Sequence, residues 1–385
     1  MKTLSIITMM SSEHLTFEIT DVNELSKYYD KIQVYTLKNS SRISKKKIYE
    51  ENIEIINFSL NIFLLIKIFF KKKIFEAFFQ IIRSKDALIE KIKLIYLLPR
   101  SYYISEELKN KKPNNIHFFW GHYPSLVLYL LDNDIKSKTS MFLGAYDLRK
   151  KLTISKLASK KTKLIFTHSK SNIPEISDFL GKKEINCIYR GVNLNKFNKT
   201  TDFTGKSRDK IIFTTIGSLQ EHKNHFKVID AFEKIHFTYP NSKLNIFGEG
   251  YLEKKIVEYF NQKGLGEFIN LHGWIPQDEV IKHLTKSHFY LHLSKIEVLP
   301  NSIKEALYSG NIVISSRTTG IEELIQDYKT GFLVNPSDHE NIVNIIDYCL
   351  KNEDMTNKII DEGKKIIFEK FDLKKNIKNF YDIIR

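Results

Sequence analysis

The sequence predicts an α/β chain built as two doubly wound domains, each around a parallel sheet. Three observations carry that expectation. Short apolar runs of strand length alternate with helical patterns along most of the 385 residues, which is the signature of βαβ units. That length is enough for two domains with cores of their own. One polar stretch, residues 198–209 (NKTTDFTGKSRD), has no apolar pattern and separates a first run of such units from a second.

Taken in order, residues 4–7 read as a buried first strand rather than a leader, because Ser11, Ser12 and Glu13 end the apolar start at once. A helical pattern follows over 12–27, with strands at 32–37 and 53–58. The stretch 61–83, NIFLLIKIFFKKKIFEAFFQIIR, is helical, aromatic and basic. Lysines interrupt it well short of the about 20 apolar residues that span a bilayer. It fits a core helix with solvated lysines and a basic helix lying in a membrane interface, and one helix can be both. Helix continues to about residue 98, and strands follow at 116–119, 140–143, 164–167 and 186–189. The second run has a strand at 211–216 ending in Gly217, a helix over 224–237, and a strand at 243–247 ending in Gly248-Glu249-Gly250. A strand at 269–271 ends at Gly273, another lies at 332–334, and helix fills 340–385. The expected domains are 1–200 and 201–370, with a last helix, 371–385, free to cross back to the first.

Two cysteines, Cys187 and Cys349, are too few and too far apart for a disulfide framework and fit a reducing cytosol. The net charge of +15 is one-sided: residues 1–200 hold 35 Lys and Arg against 19 Asp and Glu, and the remainder is balanced. Such a half is drawn to anionic lipid, polyphosphate or nucleic acid. No nucleic-acid motif accompanies it, and spread over solvated faces the charge means nothing specific.

The stretch 287–323 concentrates the chemistry. A strand at 289–293 runs into a loop, Pro300 sits where a first helical position tolerates it, Gly310 ends the helix, and 312–315 is the next strand. Glu297 lies in the loop and Glu305 in the helix. The carboxyl end of a parallel strand leading into a helix is where open α/β sheets bind ligands. Free amides over 299–302 suit a phosphate, and carboxylates accept from sugar hydroxyls. Upstream, Gly217-Ser-Leu-Gln-Glu-His-Lys223-Asn puts a close backbone approach and a cation before a second helix, which suits a diphosphate.

At these residues the chain resembles the retaining glycosyltransferases of GT-B architecture often called family 4. Glu297-Val-Leu-Pro-Asn-Ser-Ile-Lys-Glu305-Ala-Leu-Tyr-Ser-Gly310 looks like their donor-site signature, and the likeness continues through Gly320-Ile-Glu-Glu323 and Thr330-Gly331-Phe-Leu-Val. It implies two Rossmann-like domains facing across a cleft. It gives Glu305 the ribose hydroxyls, Glu297 the hydroxyls of the transferred sugar, and Leu299, Pro300 and Asn301 the diphosphate. Gly217, Lys223 and Glu249 match further positions on the donor side. Three departures stand out. Ser218 occupies the place of a usual arginine, Val298 that of a usual glycine, and Gly144 that of a usual acceptor-side histidine, which leaves His122 and Asp147 as its replacements.

The function implied is transfer of a sugar from a nucleotide-diphosphate sugar, UDP-linked, to a hydroxyl of a glycan or lipid-linked glycan, with the anomeric configuration kept. Surface-polysaccharide assembly at the inner face of the cytoplasmic membrane suits the basic half. Neither a cofactor nor a metal is expected. Two other classes remain open: a GT-B-fold sugar-nucleotide epimerase, which needs no acceptor, and a non-catalytic basic protein that binds nucleic acid or membrane.

Overall fold

The computed structural model describes residues 1–9, 16–38, 50–57, 71–132, 135, 139–162, 164–181, 184–197, 202–206 and 209–385. Parts of the expected helix over 12–27 and of the basic stretch 61–83 (residues 12–15 and 61–70) lie outside the described residues. The chain forms two compact units, residues 1–189 with 374–385, and residues 190–373.

The first unit holds seven strands: β1 (Thr3–Thr8), β2 (Lys31–Thr36), β3 (Ile53–Ile56), β4 (Asn115–Phe119), β5 (Thr139–Phe142), β6 (Leu164–Thr167) and β7 (Asn186–Cys187). They lie in the order β3-β2-β1-β4-β5-β6-β7, and every pairing is parallel. The chain winds outward from β1, returns to β4 and winds outward on the other side, so the strand order reverses between β1 and β4. Every residue of β4 is buried. His117 is tolerated there because its Nδ1 meets Ser140 Oγ of β5 at 2.9 Å. Residues 374–385 complete this unit. Phe380 presents its edge to the rings of His117 and Phe166 at 4.8 and 4.9 Å, and Tyr381 stacks on Tyr28 at 4.8 Å.

The second unit is a six-stranded parallel sheet of β8 (Ile211–Ile216), β9 (Ser242–Phe247), β10 (Ile269–Leu271), β11 (Phe289–His292), β12 (Ile312–Ser316) and β13 (Phe332–Val334). Its order is β10-β9-β8-β11-β12-β13, with the reversal between β8 and β11. Helices such as His225–Thr238, Gln277–Lys286 and Asn301–Tyr308 connect the strands. Phe213 of β8 stacks on Phe289 of β11 at 5.1 Å in the centre of the core. The two sheets and their crossover helices are the α/β, doubly Rossmann-like architecture that the alternating pattern implies.

One described residue of the polar stretch 198–209 departs from the composition around it. Phe203 within it is fully buried in the core of the second unit, and its amide donates to Asn357 Oδ1 at 3.0 Å. The chain passes from one unit to the other earlier, at residues 189–190. Just beyond that point, the amide of Val192 donates to the carbonyl of Phe371 at 2.8 Å. A Cβ on Gly191 would lie 2.3 Å from the backbone of Leu373, so only glycine lets these two passages lie flush.

Candidate functional site

The donor-side candidates of the second unit gather at the carboxyl ends of β8 and β11, on either side of the reversal, where open α/β sheets take ligands. Gly217 follows β8, and its amide donates to the carbonyl of Phe247 at 2.9 Å. The Gly-Glu-Gly turn packs directly on this loop. A Cβ on Gly248, at φ +137°, would stand 2.0 Å from the Gly217 carbonyl oxygen, and one on Gly250 would stand 2.4 Å from that of Leu219. The amide of Leu219 donates to the carbonyl of Glu249 at 2.8 Å. The two glycines are therefore demanded by backbone-to-backbone packing, and Ser218 and Glu249 are held side by side as a result.

Lys223 ends a short turn that two bonds tie to the loop after β11. Asn224, in the left-handed region at φ 60°, donates its side-chain amide to the carbonyl of Leu293 at 2.9 Å. The amide of Lys295 donates to the carbonyl of His222 at 2.8 Å. This brings Lys223 Nζ into an ion pair with Glu297, both side chains largely buried. His292 Nε2 lies 3.9 Å from the same carboxylate. Burial, with the Lys223 charge beside it, pushes the His292 imidazole down to about 3. His292 is therefore neutral, its approach to Glu297 is not an ion pair, and Lys223 carries the cationic charge here.

Glu305 is held apart from that pair. Its Oε1 accepts from Gln277 Nε2 at 2.5 Å, and Gln277 Oε1 accepts from Lys196 Nζ at 2.9 Å. Burial raises the Glu305 carboxyl above the usual range, opposed by the Gln277 bond and the charges of Lys304 and Lys196. Leu299 is buried and Val298 half-buried in the loop, and Pro300 caps the helix Asn301–Tyr308 from an extended conformation. Asn301 turns its Oδ1 to Lys304 Nζ at 3.0 Å.

His122 and Asp147 belong to the first unit and are in direct contact. His122 Nδ1 lies 2.8 Å from Asp147 Oδ1, and both side chains are buried. Asp147 Oδ2 accepts from the amide of Gly144 at 2.7 Å, capping the turn Ala145–Lys150. The second carboxylate oxygen thus fixes the loop while the first orients the imidazole.

Residues 197–366 match the glycosyl transferases group 1 family.

The match lies within the second unit and takes in Gly217, Lys223, Glu249, Glu297 and Glu305. Among curated proteins, an uncharacterised glycosyltransferase of Methanocaldococcus jannaschii is 26% identical over 291 residues, 73% of this chain and 70% of its own length. The lipopolysaccharide 1,2-N-acetylglucosaminetransferase of Salmonella typhimurium is 22% identical over 199 residues, 46% of this chain and half of that enzyme. Among solved structures, HepE of Anabaena, determined with UDP and glucose, superposes with a TM-score of 0.73 at 15% identity, covering 100% of this chain and 99% of that one. The fold is GT-B, and the family match supports a group 1 glycosyltransferase.

Two site features have no local cue in the sequence. Gln277, the partner of Glu305, lies 28 residues away at the start of an ordinary amphipathic helix. His292 sits in a strand whose four residues are all buried and reads as core. One Asp-x-Asp does occur, Asp132-Asn-Asp134. Asp132 is engaged by Lys73 and Lys109 in the first unit, and residues 133–134 lie outside the described residues.

Proposed function

We propose that this chain is a retaining glycosyltransferase that moves a sugar from a UDP-sugar to a hydroxyl of a glycan or lipid-linked glycan acceptor in surface-polysaccharide assembly. The observation that carries the reading is the Lys223–Glu297 pair held at the reversal point of the second sheet. A buried ion pair with a ligand-binding position is a stored site. When a donor arrives, Lys223 exchanges the carboxylate for the diphosphate, where negative charge grows as the sugar departs. Glu297 is freed for the sugar hydroxyls, and Glu305 exchanges Gln277 for the ribose. With Ser218 where relatives carry arginine and His292 neutral, Lys223 and the amides of Ser218, Leu299 and Asn301 neutralise the phosphates. The leaving phosphate oxygen takes the acceptor proton on the same face, so the protein's part is charge stabilisation and positioning, and no metal or cofactor takes part. His122, oriented by Asp147, serves the acceptor hydroxyl.

The acceptor's lipid anchor fits the first unit. Helix Lys72–Arg83 buries Ile74, Ala77 and Ile81 and exposes Phe75, Phe79 and Ile82. The next helix, Leu88–Lys111, exposes Leu88, Ile89, Ile92 and Tyr96. Among the described residues no helix is long and apolar enough to cross a membrane, so the contact proposed is interfacial.

The test is turnover of UDP-sugars with and without acceptor, in the presence of EDTA, with NMR of the product's anomeric proton. The expected result is UDP released only when acceptor is present, unaffected by chelation, and the donor's configuration retained. An inverted product sinks the mechanism. Consumption of donor without acceptor makes the chain an epimerase or hydrolase instead.

A further inference from the structure

The first unit carries a strained tryptophan at its own reversal point. Trp120 is the first residue after β4, beside the place where the strand order turns back, and its φ is +88°. A bulky side chain in that region is a genuine outlier. Such residues persist only where their surroundings over-determine them, and they gather at ligand sites.

The surroundings are specific. A Cβ on Gly144 would lie 2.6 Å from Trp120 Cζ3 and 3.1 Å from His168 Cε1, so the indole occupies the space over that glycine. Phe119 and Phe142 meet the indole edge to face at 5.5 and 6.1 Å. The indole remains half-buried rather than enclosed. Two residues past Gly144, Tyr146 is 44% exposed, with its ring 5.1 Å from the ring of His122. His122 is fixed through Nδ1 to Asp147 at 2.8 Å, and its Nε2 has no partner among the described residues. Aromatic surface thus lies beside a buried, oriented imidazole.

We infer that Trp120 and Tyr146 form a stacking platform for a pyranose ring of the acceptor, with one ring hydroxyl bonded to His122 Nε2. A sugar ring matches both features. Its C–H face lies against the negative face of an aromatic ring, and its hydroxyl edge meets a nitrogen that can donate or accept. A bare acyl chain would leave the imidazole and its carboxylate unmet. The inference rests on the proposed transferase reading, and it assigns the acceptor end a sugar rather than a lipid or a small alcohol. It also gives the absence of a side chain at residue 144 a reason: the indole stands there.

The chain has two tryptophans, Trp120 and Trp274, so Trp274→Phe leaves Trp120 as the sole indole fluorophore. Methyl glycosides of glucose, galactose and N-acetylglucosamine are titrated against it, with glycerol as control, and UDP binding is followed by thermal shift in the same protein. At least one glycoside is expected to move the Trp120 emission while glycerol does not. Trp120→Gly relieves the positive φ and should keep the UDP shift while raising the acceptor KM about tenfold, with the donor KM unmoved. Trp120→Phe should recover much of the loss. If UDP stabilises the protein but no glycoside reaches Trp120, the platform is wrong and the transferase reading stands. If glycosides reach Trp120 and UDP does not bind, the platform stands as a carbohydrate site and the transferase reading falls. A wild-type acceptor KM in Trp120→Gly overturns the platform, and should that variant not fold, the emission titration alone decides.

Discussion

Glu305 and Lys206 show two ways in which burial can be used. Glu305 is buried at the candidate donor site and raised by desolvation, and its carboxylate accepts from Gln277. Glu305→Gln should lower turnover at least tenfold, a loss of about 1.4 kcal/mol of transition-state stabilisation. Thermal stability should hold or rise, since an isosteric amide removes a buried charge, and an unchanged rate would remove Glu305 from the donor site. Lys206 is buried outside any site, its Nζ donating to the carbonyls of Ser287 and Gly310, each at 2.5 Å. Burial pulls its pKa from 10.5 down to about 7, with Lys364 adding to the effect and Asp202 opposing it. Between those values the unfolded chain binds the proton that the folded chain does not. Stability should therefore rise as pH is raised through that window, by at most ~1.4 kcal/mol per unit. Thermal melts from pH 7 to 10 should show that slope in the wild type and a shallower one in Lys206→Met. Equal slopes would mean that Lys206 keeps its ordinary pKa.

At the scale of elements, the helices Lys72–Arg83 and Leu88–Lys111 pair a buried face with an exposed aromatic and aliphatic one. Their lysines differ in kind. Lys73 pairs with Asp132 and donates to the carbonyl of Leu130 at 3.2 Å, whereas Lys72 is almost fully solvated. Vesicles of anionic lipid should bind the wild type, and Lys71→Gln with Lys72→Gln should weaken that binding by about 1 kcal/mol per lysine. Phe75→Ser with Ile89→Ser should weaken it at any salt concentration, because that contribution is not screened. Wild-type binding by both variants would end the membrane contact. The same contrast explains what a sequence can reveal. The placement of Gly217, Lys223, Glu297, Pro300 and Glu305 at strand ends and helix starts was legible because strand, turn and helix follow one another locally. Gln277 and His292 were not, since each is defined by a partner that only the sheet order supplies. Phe203 was hidden in a polar stretch where one aromatic does not make a period. Trp120 was the least legible of all, for nothing in a tryptophan announces a left-handed backbone.

The whole molecule is two units of unequal continuity: residues 190–373 form one run, and the first unit is closed by residues 374–385. Phe380, buried against His117 and Phe166, should lose about 3 kcal/mol or more as Phe380→Ala, the usual toll of an aromatic cavity. Calorimetry should assign that loss to the first unit and leave the transition of the second in place. A uniform loss across both would mean that the units melt as one. Synthesis gives this closure a further meaning. A ribosome emits the chain from its start, and domains generally fold in that order. Here the strands of the first sheet precede the second unit in the chain, and the β4 and β6 rings of His117 and Phe166 gain Phe380 only once residues 374–385 have followed it. The second unit emerges later and is complete sooner. The unit whose strands come first in the chain is thus completed after the one that follows it.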